Sequence, residues 1–100
     1  MPTREVTLHD EAGHDYDAAF EWYLERSPQT AVRFDEAVER ALAEIARAPH
    51  RWVQGSHGTR RYLLRGFPYL LIYRELSAEM IQILAVAHTS RRFGHWRERV

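Results

Sequence analysis

The chain has 100 residues, of which 45% are hydrophobic and 28% charged, and it contains no cysteine. This size and composition predict one soluble globular domain over residues 1–100, because a chain of this length can build one hydrophobic core but not two. The missing cysteines exclude disulfides and thiolate metal sites, and the longest apolar run, at 69–73, is far below the roughly 20 residues that span a bilayer, so we expect a cytoplasmic protein without a membrane partner.

The first predicted elements are a short strand and a helix. Residues 4–8 alternate polar and apolar side chains, which favours a strand. Asp10 is a suitable N-cap for the helix that follows, which ends at Arg26. Its apolar residues share one face, with the spacing i, i+3, i+4, i+7 and i+8: Tyr16, Ala19, Phe20, Tyr23 and Leu24.

A second helix follows almost directly. Ser27 is placed to cap it and Pro28 to occupy its first position, where a missing N–H costs nothing. The helix runs to about Ala48, and Pro49 ends it. Its apolar residues again form one stripe: Ala31, Phe34, Val38, Ala41, Leu42 and Ile45. So short a connection predicts an antiparallel two-helix hairpin.

The second half of the chain changes to a period of two. Residues 50–58 have no usable period and predict a loop. Three strands follow, with turns at 66–68 and 77–79, which predicts a three-stranded antiparallel meander: residues 59–65, 69–75 and 80–87. In the first of these strands Tyr62 and Leu64 face one way, whereas Arg61, Leu63 and Arg65 face the other.

The last strand, IQILAVA, is apolar on both faces, so we expect it to lie centrally in the sheet. The helical hairpin can cover only one face. Either the other face is open to a partner or a C-terminal segment folds back over it.

The net charge of zero conceals a large difference between the two halves. Residues 1–50 contain five arginines and eleven acidic residues, a net charge of −6, whereas residues 51–100 contain nine arginines and three glutamates, a net charge of +6. All basic residues are arginine, whose planar fork suits phosphate and carboxylate, although GC-rich codon usage also explains missing lysine. The basic half favours an anionic partner, such as nucleic acid or an acidic peptide.

The order of these elements, with WYLERSP, RF, RRYLLRGFPYLLIYRE, ILAVAH, RR and HWRER in sequence, resembles the RelE/ParE superfamily of bacterial toxins. The resemblance implies an α+β fold with one sheet, a type II toxin–antitoxin module of the kind used in plasmid stabilization, and growth inhibition by the free toxin. It also implies neutralisation by a cognate antitoxin in a hetero-oligomer. Free toxins of this superfamily either cleave mRNA on the ribosome or poison DNA gyrase.

A nuclease of this kind needs a base, an acid and cations beside the scissile phosphate, and no metal or other cofactor. The candidates for catalysis in this sequence are Arg65, His88, Arg91 and His95. However, Leu70 stands where ribosome-dependent members carry an arginine after the first aromatic residue of the middle strand. This departure favours a ParE-like toxin and leaves open whether the chain is an enzyme.

The candidates for binding nucleic acid or a protein partner are the arginines of the basic half: Arg60, Arg61, Arg65, Arg91, Arg92 and Arg97. Some of the candidates also have an interpretation without a functional role. Arg61 and Arg65 could be ordinary surface charges, and His88, from the catalytic candidates, could be a polar residue that ends a strand. Trp96 is expected to close an edge of the core.

Three rival functions remain open from the sequence. The first is ribosome-dependent mRNA cleavage, and the second is a non-catalytic nucleic-acid-binding or adaptor domain. The third is an oligomer in which the acidic helical hairpin of one copy meets the basic half of another.

Overall fold

The structure is a computed structural model that describes residues 3–90 and 95–100, apart from the side chain of His95. Its helices are α1 (Asp10–Arg26) and α2 (Pro28–Arg47), with short 3₁₀ helices at Pro49–Arg51 and His95–Arg99. Its strands are β1 (Glu5–Leu8), β2 (Val53–Gln54), β3 (Arg60–Leu63), β4 (Tyr69–Glu75) and β5 (Met80–His88). Within this described part, no helix is long and apolar enough to cross a membrane.

The described strands form one mixed sheet in the order β1-β5-β4-β3-β2. β1 runs parallel to β5, and the other neighbours are antiparallel. The predicted α+β class, the meander and the central position of the last strand are confirmed. The number of strands was wrong, because β2 lies within the predicted loop 50–58. A strand of two residues shows no period, and β2 exists only through its pairing with β3.

The helix ends follow local hydrogen bonding. The hydroxyl of Ser27 accepts a bond from the N–H of Thr30 at 3.3 Å, and Pro28 begins α2, as predicted. Asp10 was the wrong cap for α1. The cap is His9, whose Nδ1 accepts a bond from Glu11 N–H at 3.1 Å, because β1 holds the N–H of His9 on the sheet and the helix can begin only after it.

The helical hairpin covers one face of the sheet through an aromatic cluster. Phe34 of α2 is fully buried, and its ring lies 5.2–5.8 Å from the rings of four aromatic residues: Tyr16, Tyr23, Phe67 and Tyr69. Aromatic pairs at these separations add to the stabilisation from buried area. The predicted apolar stripes of both helices therefore meet the sheet here, except for Leu24 of α1, which was wrongly predicted to share this face and is 45% exposed.

The other face of the sheet carries a smaller core. Ile72 of β4 packs with Leu84, Ala85 and Ala87 of β5, and Trp96 of the C-terminal 3₁₀ helix covers them. The C-terminal segment therefore folds back over the sheet, and Trp96 closes the core edge, as predicted. A β-bulge between Ile72 and Tyr73 interrupts the pairing of β4 with β5 beside this cluster.

An ion pair holds the C-terminal segment in place. Arg99 Nη1 donates to the Asp15 carboxylate at 2.7 Å and to the carbonyl oxygen of Leu84 at 2.8 Å. The same carboxylate accepts the N–H of Val86 at 3.1 Å. β1 ends opposite Ile83, so beyond that residue β5 has no strand partner on that side. There, Arg99 bonds to the carbonyl oxygen of Leu84 and Asp15 bonds to the N–H of Val86, so these backbone groups are satisfied by side chains.

Candidate docking surface and placement of the predicted site residues

An apolar row crosses the sheet on the face opposite the helices. Leu63 of β3 lies opposite Leu70 of β4, which lies opposite Ala87 of β5. Leu63 is 60% exposed and Leu70 is half-buried. Val53 of β2, paired with Arg61, is also exposed. Exposed apolar side chains grouped on one face are typical of protein-binding surfaces.

Two of the predicted binding arginines lie together beside this row. Arg61 of β3 and Arg97 of the C-terminal 3₁₀ helix line one cavity of about 110 Å³, with Ile72 and Trp96 in its wall. The guanidinium of Arg97 lies 5.9 Å from the centre of the Trp96 ring. We define the docking surface as Val53, Arg61, Leu63, Leu70 and Arg97.

A tight loop before β3 also lines the cavity that holds Arg61 and Arg97. The Thr59 hydroxyl donates to the carbonyl oxygen of Ser56 at 2.6 Å, and Gly55 N–H donates to the carbonyl oxygen of Thr59 at 2.8 Å. A Cβ at Gly55 would lie 3.1 Å from the Thr59 hydroxyl oxygen, so glycine permits this close approach. The loop therefore fixes the cavity wall beside Arg61.

Arg60 is turned away from the docking surface. Its Nη1 donates to the carbonyl oxygen of Trp52 at 2.8 Å, and the residue is half-buried. Neighbouring residues of a strand face opposite sides, so Arg60 and Arg61 cannot share one face. In the described chain, this contact makes Arg60 a bridge between β3 and the segment before β2.

Arg65 lies on the helix side of the sheet, so the expectation that it shares a face with Arg61 was wrong. β3 ends at Leu63, and the turn that follows carries Arg65 to within 3.7 Å of the Glu44 carboxylate on α2. Tyr62 hydroxyl donates to that carboxylate, and its hydrogen bond is the main cause of the lowered pKa of Glu44. Burial raises the pKa of Tyr62.

His88 lies apart from both the docking surface and Arg65, in a cleft of about 550 Å³ between α1 and the end of β5. Its ring stands 5.0 Å from the Tyr69 ring, and its Nδ1 accepts the Ser90 N–H at 3.1 Å. A neutral ring with this bond carries its proton on Nε2. These contacts agree with the simpler reading of His88 as a polar residue that ends a strand.

The structure therefore separates two of the four predicted catalytic residues. His88 pairs with Tyr69, whose carbonyl oxygen accepts the N–H of Leu64, so Arg65 lies two strands and roughly 10 Å from His88. Arg91, Arg92 and the side chain of His95 lie outside the described residues. Their predicted roles stay predictions, as do those of Arg65 and His88.

Within residues 3–90 and 95–100, no group of three potential metal ligands lies close enough to hold an ion.

Two exposed residues of the docking surface, Val53 and Leu63, were not among the binding residues predicted from the sequence. The available signal was the alternation of β3, which places Leu63 on the same side as Arg61.

Comparison with known proteins identifies what the chain is similar to. The family model of the ParE toxin of type II toxin–antitoxin system, parDE, matches residues 6–93. A solved chain from the chromosomal ParDE toxin–antitoxin system of P. aeruginosa has the same fold, with a TM-score of 0.74 and 17% sequence identity over 88% of this chain and 98% of that chain. No curated protein matches the sequence.

Proposed function

The chain belongs to the ParE toxin family of type II toxin–antitoxin systems, and we propose that it inhibits DNA gyrase and is neutralised by a cognate antitoxin in the cytoplasm. The toxin role follows from the family. The target, the antitoxin and the surface that binds them are the parts that we propose.

The apolar row of Leu63, Leu70 and Ala87 is the observation that carries this proposal. Ribosome-dependent members of the superfamily carry an arginine where this chain has Leu70. A leucine between two other apolar residues cannot stabilise charge on a phosphate during RNA cleavage. Among the described candidates, Arg65 and His88 also lie in separate clefts. These features favour a toxin that binds a protein over one that cuts RNA.

The chemistry of the docking surface fits a protein partner. Buried interface cores favour apolar side chains and arginine, because guanidinium groups can both stack on neighbouring groups and donate several hydrogen bonds. Leu63 and Val53 supply exposed apolar area, and Arg61 and Arg97 stand beside them. A partner that buries Leu63 would gain about 1–2 kcal/mol from the apolar area removed from water.

The test of the target is a supercoiling assay with purified gyrase. We expect the wild-type chain to inhibit supercoiling or to accumulate cleaved DNA, and Leu63→Asp to lose at least tenfold in potency. Val32→Asp is the matched control, because Val32 is 56% exposed on α2, away from the docking surface. Undiminished supercoiling at saturating wild-type protein would refute gyrase as the target, and codon-phased mRNA cuts in induced cells would establish the nuclease function instead.

The test of the antitoxin uses the reading frame beside the gene. We expect the chain alone to arrest bacterial growth, and co-expression of the adjacent small protein to restore growth and to co-purify with the chain. The same Leu63→Asp and Val32→Asp pair shows whether the antitoxin uses the docking surface. Arrest that the neighbouring product cannot relieve would contradict its role as antitoxin.

A further inference from the structure

Three arginines lie seven residues apart along the exposed side of α2: Arg33, Arg40 and Arg47. Seven residues are almost two helical turns, so the direction of the side chains drifts by only about 20° per step. Their Cα atoms are spaced by about 10 Å along the helix axis, which makes a stripe roughly 21 Å long. These residues belong to the half of the sequence with a net charge of −6, which concealed them.

Two more arginines join the stripe from other elements. Arg65, from the turn after β3, lines a cleft of about 520 Å³ together with Arg33 and Arg40. Arg51, in the short 3₁₀ helix that follows α2, extends the stripe beyond the C-terminal end of α2. Glu44 shows that these groups converge, because after the Tyr62 hydrogen bond its pKa is lowered by Arg65, Arg47 and Arg51.

The charges of the stripe are little used by the fold. Among the described residues, the side chains of Arg40 and Arg47 make no ion pair or hydrogen bond, and the Arg33 side chain donates only to the Thr30 hydroxyl at 3.2 Å. The Arg51 guanidinium lies 5.2 Å from the centre of the Trp52 ring. Arg65 is 79% exposed, and its distance of 3.7 Å from Glu44 is long for a salt bridge. Such an exposed pair contributes about 1 kcal/mol or less, so an anionic ligand can displace it.

We propose that this arginine stripe, Arg33, Arg40 and Arg47 with Arg51 and Arg65, binds the phosphodiester backbone of duplex DNA. A single phosphate cannot contact two groups about 10 Å apart, whereas a DNA strand presents a charge every few ångströms along the whole stripe. Each guanidinium can donate two parallel hydrogen bonds to a phosphate. Contacts to the backbone alone predict binding without sequence preference.

An acidic protein is the rival occupant, and the surface fits it less well. Protein interfaces derive most of their affinity from buried apolar or aromatic anchors. The cleft beside the stripe offers one such residue, Phe67, which is already half-buried against the aromatic core. Two carboxylates, Glu36 and Glu44, lie beside the five arginines of the stripe. Together these seven residues have a net charge of +3, which is enough to attract a polyanion by charge alone.

The test measures binding of a fluorescent 20-base-pair duplex by anisotropy at several salt concentrations. Five neutralised phosphates predict a slope of log affinity against log salt of about −4.5, and the triple variant R33Q/R40Q/R47Q should reduce it to about −1.8. The control R4Q/R26Q/R74Q removes the same charge outside both the stripe and the docking surface and should keep the wild-type slope. Circular dichroism confirms that each variant is folded.

Three outcomes would overturn the proposal. One is an equal loss of slope in both triple variants, which would mean that only total charge matters. Another is a wild-type slope near zero. The third is polyglutamate displacing the duplex at equal charge concentration, which would assign the stripe to an acidic protein. Gyrase is absent from this assay, so failure of the gyrase proposal and failure of DNA binding are distinguishable.

Discussion

The ion pair between Arg99 and Asp15 gives the sharpest prediction about stability. These residues are 84 positions apart in sequence, and their contact ties the C-terminal segment to α1 and β5. The side chains are only 11% and 20% exposed, respectively. Replacing Arg99 with methionine keeps a long side chain and removes the charge together with every donor.

The expected cost follows from the partners left behind. In Arg99→Met, the Asp15 carboxylate keeps only the Val86 N–H, and the carbonyl oxygen of Leu84 loses its side-chain donor. Breaking a buried ion pair from one side costs about 3–5 kcal/mol. We expect the lower end, about 3 kcal/mol, because Asp15 keeps one bond and some contact with water. For a domain of this size the melting temperature should fall by about 12–24 °C.

Denaturant unfolding followed by circular dichroism measures this loss. Arg97→Met is the matched control, since Arg97 is exposed and its contact with the Trp96 ring is long, and it should cost less than about 1 kcal/mol. An Arg99→Met variant whose free energy of unfolding lies within about 0.5 kcal/mol of the wild-type value would show that the ion pair does not stabilise the fold. The absence of a coupling energy in a double-mutant cycle with Asp15→Asn would show the same.

Three further changes test other contacts of the fold. Tyr73→Phe removes the hydroxyl that donates to the carbonyl oxygen of Pro49 at 2.6 Å, so denaturant unfolding should show a loss of about 1–3 kcal/mol from a buried acceptor left without its partner. Burial raises the pKa of Tyr73 to about 12, so the wild type should lose stability as the pH rises from about 10 through 12, and this alkaline loss should be smaller in Tyr73→Phe. Tyr62→Phe should raise the pKa of Glu44, measured by NMR titration, because the Tyr62 hydrogen bond is the main cause of its lowering. The stability that Glu44 contributes to the wild type is present above the ordinary pKa of a glutamate. It is lost as the pH falls through the lowered pKa of Glu44. Gly66→Ala should cost about 1 kcal/mol in denaturant unfolding, because Gly66 has φ +80° in the turn before β4.

Each of these changes has a result that would contradict it. An unchanged alkaline transition in Tyr73→Phe would remove Tyr73 from the pH dependence. A Glu44 pKa that stays low in Tyr62→Phe would assign the lowering to nearby arginines. A Gly66→Ala variant as stable as the wild type would mean that the turn relaxes without cost.

The sequence by itself determined the elements that have a clear period. The spacing of apolar residues in the two helices and the alternation in the strands are local properties, because backbone geometry sets which side chains share a face. Ser27 and Pro28 likewise fixed the boundary between the helices through bonds within four residues. The same alternation correctly placed Leu63 beside Arg61 and Tyr62 on the opposite face. The resemblance to the toxin superfamily rested on the order of these elements, and the family match agrees with it.

Only the tertiary structure decided which charged groups meet. The period of two along a strand predicts that Arg61 and Arg65 share one face of the sheet. However, β3 ends between them, and the turn that follows carries Arg65 to the opposite face, beside α2. Arg99 finds its carboxylate on α1, and β2 exists only because β3 offers it an edge. Coulomb interactions and strand pairing depend on distance in space, whereas a sequence gives only separation along the chain. The sign of each half of the sequence therefore did not reveal the arginine stripe, which combines three arginines of the acidic half with two of the basic half.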